Sequence, residues 1–209
     1  PPLTSEPQPV VAGVIVLCDS RCTVQGPGAL VGIVGPPSAF AAIHTAERGR
    51  ATVRDVAISG VANGIVALNG IVRIADSSIA ARQWGIATVS RALVDRVTID
   101  VAEPGGYCIG ATDESGSLVK GSDVTLAGCP HGIWASRQVK LDRLTAIGLG
   151  ATAIWSRGAT RLRDSTVTGS GDFDIVSRRR PKLTNTACDR SAVYIDDVPN
   201  ETWGVCAND

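Results

Sequence analysis

The chain has 209 residues, enough for one substantial core and short for two. Its 20 Lys and Arg balance 20 Asp and Glu, so net charge gives no reason to expect nucleic acid or an anionic membrane as a partner. Val, Ile, Ala and Leu dominate the apolar set, with 2 Phe, 2 Tyr, no Met and 23 Gly, which favours many short strands and tight turns over a helical bundle.

Residues 1–9, PPLTSEPQP, read as an extended linker or the remnant of a processed N-terminal segment; a boundary inside a longer chain is the alternative. The longest apolar run, Val10 to Leu17, is broken by Gly13 and falls well short of the roughly 20 residues a membrane-spanning helix needs. No membrane span is expected. Residues 10–34 hold Cys18, Cys22 and the Gly-Pro cluster GPGALVGIVGPP, and are predicted to form an N-terminal cap.

A repeat of about 21 residues then organises residues 35–187. Its anchor is an isoleucine, usually preceded by a small residue: Ile43, Ile65, Ile86, Ile109, Ile133, Ile154, Ile175 and, last, Ile195. A second apolar column reads Ile58, Ile79, Val97, Val124, Leu144 and Val167, and a third reads Val53, Ile74, Leu93, Leu118, Val139 and Leu162. Short alternating pieces such as Val124-Thr125-Leu126 have the two-residue period of a strand, and no stretch sustains a helical period. Three strands per turn predict an all-β, single-stranded, right-handed parallel β-helix of about seven to eight rungs, each stacked about 4.8 Å from the next.

The spacing stretches around Glu103 to Gly106 and again around Ala111 to Gly116. If the extra residues share one corner, Glu103, Asp113 and Glu114 come together beside Tyr107. Residues 188–209 are predicted to cap the other end, with Trp203 covering the last rung. The six cysteines fall into three local pairs, Cys18 with Cys22, Cys108 with Cys129, and Cys188 with Cys206. Six cysteines allow fifteen connectivities, so this pairing rests on proximity. Zinc is the rival, but it would want closer Cys spacing with His nearby, and His44 and His131 are remote in sequence. Disulfides imply an extracytoplasmic compartment.

The segments GVANGIVALNG, RQWGIATVSR, CPHGIWASR and GATAIWSRG resemble the repeats of the pectate-lyase-like parallel β-helix proteins, over roughly residues 30 to 195. The ending TACDRSAVYIDDVPNETWGVCAND is similar to the close of secreted bacterial β-helix repeat proteins. The resemblance implies a fold more than an activity, because that superfamily hosts lyases, hydrolases, esterases and adhesins. Its hydrolases pair two carboxylates across the scissile bond, and its lyases use Ca²⁺ held by Asp and Glu with a Lys or Arg base. The motif set of the polygalacturonases is missing, and an isolated Asp196-Asp197 does not replace it.

The candidate acids are Glu103, Asp113 and Glu114 at the corner, and Asp172 with Asp174, which would share one face if they lay on a strand. The corner could supply some of the six to eight oxygens of a Ca²⁺ site, yet no cofactor is expected. His131 reads as a turn residue. If each anchor points inward, the next residue points outward, giving Val66, Ala87, Gly110, Trp134, Trp155, Val176 and Asp196. Trp134 and Trp155 fall on adjacent rungs, with Arg91, Arg137, Arg157 and Arg178 shortly after, and Arg178–Arg180 as a basic cluster. Trp134, Trp155, Arg137 and Arg157 would form a platform for acidic sugars or a protein partner. The rival reading is that a tail or loop covers the Trp pair. The expectation is a monomeric, non-enzymatic extracytoplasmic scaffold binding a polysaccharide or a protein on its side. The alternative is a small polysaccharide lyase or glycoside hydrolase using the acidic corner.

Overall fold

The computed structural model describes residues 14–18, 20–32, 40–45, 49–67, 69–112, 116–195, 198–199 and 201–209. Its strands in chain order are β1 (Val14–Cys18), β2 (Arg21–Val31), β3 (Ala41–Thr45), β4 (Arg50–Ala67), β5 (Ile71–Thr88), β6 (Arg91–Val101), β7 (Tyr107–Ala111) and β8 (Leu118–Ala127). They continue as β9 (His131–Ala135), β10 (Gln138–Ile147), β11 (Ile154–Arg163), β12 (Thr166–Thr168), β13 (Ile175–Thr184), β14 (Ala187–Cys188), β15 (Ser191–Ile195) and β16 (Val198–Pro199). All pair in parallel except the β15–β16 hairpin. The result is a parallel β-solenoid of about 7 turns with a repeat near 21 residues. Among the described residues no helix is long and apolar enough to cross a membrane.

Three faces enclose the core. The anchor face stacks Val16, Ile43, Ile65, Ile86, Ile109, Ile133, Ile154 and Ile175 in one register. Every isoleucine in it is at most 1 % exposed. The second face aligns Val24, Val53, Ile74, Val94, Gly121, Leu141, Leu162 and Leu183. The third aligns Leu30, Ile58, Ile79, Ile99, Leu126, Ala146, Val167 and Cys188.

Local chemistry sets the corners. Between the second and third faces, single residues take left-handed backbone: Asp55, Asp76, Arg96, Asp123, Arg143, Asp164 and Asn185, with φ between 47° and 55°. Asp and Asn tolerate that region better than most residues. Each bend shifts the in–out alternation by one, so Leu141 and Leu144 both point inward around Arg143. From Asp76 to Asp164 their side chains form a ladder of alternating sign. Arg96 is bound to Asp76 (Nη2 to Oδ2, 2.9 Å), Arg143 to Asp123 (2.6 and 2.7 Å), and Asn185 donates to Asp164 (2.8 Å).

At the start of the anchor face the residue before each isoleucine also lies inside: Ala42, Gly64, Gly85, Cys108, Gly132, Ala153 and Asp174. A Cβ at Gly85 would sit 2.5 Å from the Cys108 carbonyl oxygen and against Ile99. That crowding explains the small residue before each anchor. Asp174 is the exception. Its buried carboxylate accepts backbone N–H bonds from Ser170 (3.1 Å), Asp189 (2.6 Å) and Arg190 (3.1 Å).

Several expected positions shift. Ile195 is not an anchor, because Ser191 pairs with Ile175. The last corner is cut to Asp189 and Arg190, whose N–H groups Asp174 holds, so the final turn is shorter than the others. It follows that the outward residue of that rung is Ala192, not Asp196. In the column opening each unit, Leu93 and Leu118 point outward and Val139 lies two residues before the true member, Leu141. A one-residue slip turns a side chain to the other face. The true member beside Leu118 is Gly121, where a Cβ would run into the Val94 carbonyl, and an apolar count cannot see a glycine. Val97, Val124 and Leu144 are buried as expected but stack in a parallel inward line, with Ser77 and Ser165 filling it and donating to the local carbonyls.

The segment expected as an N-terminal cap contributes a rung of its own, β1 on β3 and β2 on β4. The linker at 1–9 lies outside the described residues. Disulfides join Cys18–Cys22, Cys108–Cys129 and Cys188–Cys206, with Cα separations of 5.6, 5.8 and 5.0 Å, all within bridging reach. At the C-terminal end the tail is clamped by Cys188–Cys206. The Asp209 carboxylate accepts from Ser191 and from the backbone N–H groups of Val205 (2.8 Å) and Cys206 (3.0 Å). Burial opposes ionisation of Asp209, but these bonds outweigh it and hold the carboxyl below its usual range. Trp203 donates its indole N–H to the Ser177 carbonyl (3.1 Å).

Candidate functional site

The outer surface of the anchor face gathers most of the aromatic residues. Two residues before successive anchors come Trp84, Tyr107 and His131, in register with one another. Because the residue before each anchor is tucked inside, these side chains emerge at the corner and stack up the solenoid. The Trp84 and Tyr107 ring centroids are 4.8 Å apart at 20°, and those of Tyr107 and His131 4.6 Å apart at 17°. Those separations are the spacing of the rungs themselves. Trp84 lies over Gly110, which leaves room for the indole.

Trp134 and Trp155 pair across adjacent rungs, as expected, one residue after their anchors. Both are half-buried. Trp134 lies 5.6 Å from Tyr107 at 35°, joining the pair to the stack. Tyr194, from β15, meets Trp155 edge-on at 5.3 Å. The C-terminal segment therefore covers one side of the pair, in part as the rival reading anticipated. Beneath Tyr194, Val176 and Ala192 form a small second cluster outside the main core.

These rings line a groove of about 260 Å³, bounded by Tyr107, His131, Trp134, Thr152, Trp155, Arg157 and Tyr194. Arg157 donates Nε–H to the Tyr194 hydroxyl (3.3 Å) at its rim. Arg137 does not reach this groove. It lines a neighbouring one of about 720 Å³ around the next corner, with Arg157, Arg161, Arg178 and Arg179. Three of the four expected platform residues thus meet in one place, and Arg157 links the two grooves.

Burial holds the His131 imidazole below its usual pKa, against an opposing pull from Asp172, so the ring is neutral at pH 7. Burial also raises the Tyr107 phenol. A neutral imidazole and a neutral phenol, stacked, leave the groove floor flat and uncharged, with a guanidinium at one edge. This surface can take the apolar face of a sugar ring and offer a planar donor to a carboxylate or hydroxyl.

Of the candidate acids, Glu103, Asp172 and Asp174 lie among the described residues. Glu103 faces Arg82, Nη1 to Oε1 3.5 Å. Asp113 and Glu114 lie outside the described residues. Asp172 and Asp174 do not share a face, as expected of a strand, because β13 begins only at Ile175. Asp172 is exposed in a turn, and Asp174 is buried with its oxygens taken up by three N–H groups. Among the described residues no group of three His, Cys, Asp or Glu side chains could hold a metal.

Sequence reasoning found the Trp pair but missed the stack. The signal was present two residues before each anchor, where Asn63, Trp84, Tyr107, His131, Thr152 and Phe173 follow one another. Strict alternation assigns that position to the interior, and only the doubled inward step at the corner brings it out. Comparisons with protein-family models, with curated proteins and with solved structures return no match, so the site is read from its own chemistry.

Proposed function

We propose that the chain is a non-enzymatic, extracytoplasmic scaffold that binds a polysaccharide in the aromatic groove of its anchor face. The observation that carries this reading is the continuous array of Trp84, Tyr107, His131 and Trp134, repeated at rung spacing. Successive sugar rings of an extended chain can lie along such a strip, held by contact with the ring faces. Arg157 at the rim favours a chain carrying carboxylates. The three disulfides suit an oxidising, non-cytoplasmic compartment, where such polymers are met. Binding is favoured over catalysis because Glu103 is engaged by Arg82 and Asp174 by backbone N–H groups.

The test is titration of the intact chain with neutral and uronic-acid oligosaccharides, followed by Trp fluorescence and calorimetry. Trp134→Ala should weaken binding at least about tenfold and leave the thermal transition within a few degrees of the parent, since a half-buried ring contributes less than a core residue. A chain that ignores the whole panel, or a Trp134→Ala variant that binds as well as the parent, rejects the groove. Release of reducing ends or unsaturated products during the titration would reject the non-enzymatic reading.

A further inference from the structure

The second face of the solenoid lies around the corner from the aromatic groove and carries two outward columns with no acidic residue. In one, five of seven successive rungs present an exposed cation: Arg73, Lys120, Lys140, Arg161 and Lys182. The remaining two rungs hold Thr52 and Leu93. The column beside it adds Arg50, Arg91 and Arg179, with only uncharged residues between them. Among the described residues of this face, acids appear only along the far margin, as Asp95 and Asp142, where Arg96 and Arg163 engage them. None of the eight cations makes an ion pair among the described residues.

A chain with equal numbers of acids and bases therefore still presents one face with an excess of exposed cations. The acids of the left-handed corner are met there by Arg96, Arg143 and Asn185, while the eight cations of the two columns have no such partner among the described residues. Seven rungs at about 4.8 Å give a strip about 29 Å long. Two depressions lie along it, of about 420 Å³ around Arg73 and Lys120 and about 720 Å³ around Arg161 and Arg179.

We infer that this face binds a sulfated polysaccharide laid parallel to the solenoid axis. A linear row of charges calls for a linear polyanion. Two cation columns side by side call for more than one anionic group per sugar ring, which a sulfated chain has and a simple polyuronate lacks. The guanidinium forks match the planar edge that two sulfate oxygens present. Neither column holds an aromatic residue on which a nucleic-acid base could stack, and the disulfides suit an oxidising compartment, where glycans are the polyanions at hand. The site lies around the corner from the aromatic groove and meets it only at Arg157, which is not among the eight cations.

The experiment measures binding of the intact chain to dextran sulfate, unsulfated dextran, polygalacturonate and single-stranded DNA across a salt series. The triple variant Lys140→Glu, Arg161→Glu, Lys182→Glu and the single variant Trp134→Ala are measured beside the parent. All three altered cations are exposed, and circular dichroism checks that the strands persist. Dextran sulfate should bind and weaken steadily with salt, unsulfated dextran should not bind to this face, and the triple variant should bind at least about tenfold more weakly. Trp134→Ala should bind dextran sulfate as the parent does, even where it has lost oligosaccharide binding in the groove. An unaffected triple variant, or a loss in Trp134→Ala equal to that of the triple variant, overturns the site. Polygalacturonate matching dextran sulfate at equal charge on the Trp134→Ala variant, whose groove is disabled, or single-stranded DNA matching it, overturns the assignment to a sulfated glycan.

Discussion

Gly110 is the point at which the aromatic stack is most directly tested. It occupies an outward strand position where its neighbours in register carry alanine and tryptophan. A Cβ placed there would lie 2.7 Å from Cε3 and 3.2 Å from Cη2 of Trp84, and nearer still to Cζ3, so the indole must swing away. Moving it forfeits the stacked contact with Tyr107, worth about 0.5–1.5 kcal/mol. The same change removes a glycine from a strand interior, which returns about 0.5–1 kcal/mol. The two nearly cancel, so Gly110→Ala should shift stability by no more than about 1 kcal/mol, or roughly 2–4 °C in Tm for a chain of this size. In a Trp84→Ala background no ring stands in the way, and the alanine should stabilise by about 0.5–1 kcal/mol. Thermal unfolding of the four proteins of this cycle measures the coupling, and near-UV circular dichroism reports the indole environment. Identical effects of Gly110→Ala in both backgrounds, with an unchanged aromatic spectrum, would refute the stacked arrangement.

The other expectations concern the core, the C-terminal clamp and pH. Ile133→Ala, at a site 1 % exposed, should cost about 2–5 kcal/mol in denaturant unfolding, whereas a value below about 1 would place that side chain outside the anchor column. Replacing Cys188 and Cys206 by Ser opens a loop of 18 residues in sequence separation and should cost about 3 kcal/mol by chain entropy, and peptide mapping should recover the other two bridges intact. His131 is held below its usual pKa by burial, so the unfolded chain takes up this proton first as pH falls. Its contribution to stability should be intact above about pH 6.5 and decline as pH drops towards the lowered folded value. His131→Gln should flatten that part of the stability profile, and an unchanged profile would show that another group titrates there.

Much of the fold was legible because the solenoid repeats its chemistry. The isoleucine anchors from Ile43 to Ile175, the small residue before all but the last of them, and the three cysteine pairs survive into three dimensions. What escaped were positions whose meaning depends on the bend of the backbone. A single left-handed residue such as Arg143 moves the next residue to the opposite face from the one simple alternation assigns, so columns read by counting drift by one or two places. Gly121 holds an inward position by having no side chain, and Leu118 took its place in an apolar count. The aromatic stack was hidden for the same reason, since Trp84, Tyr107 and His131 come outside only because Gly85, Cys108 and Gly132 turn inward. The cationic face was invisible in the net charge, which sums to zero over the whole chain and says nothing of where the unpaired cations lie.

The alternation of sign along the left-handed corner bears on how the chain avoids assembling wrongly. Neighbouring turns of a solenoid are near-copies, and a growing stack could accept the turn after next almost as readily as the correct one. From Asp76 through Arg96, Asp123 and Arg143 to Asp164, each correct step sets opposite charges together. Skipping one turn would set Arg96 on Arg143, or Asp76 on Asp123. Between Asp76 and Asp164 the corner thus disfavours omission of the Arg96, Asp123 or Arg143 turn, even though every exposed pair in it adds little to the stability of the finished stack.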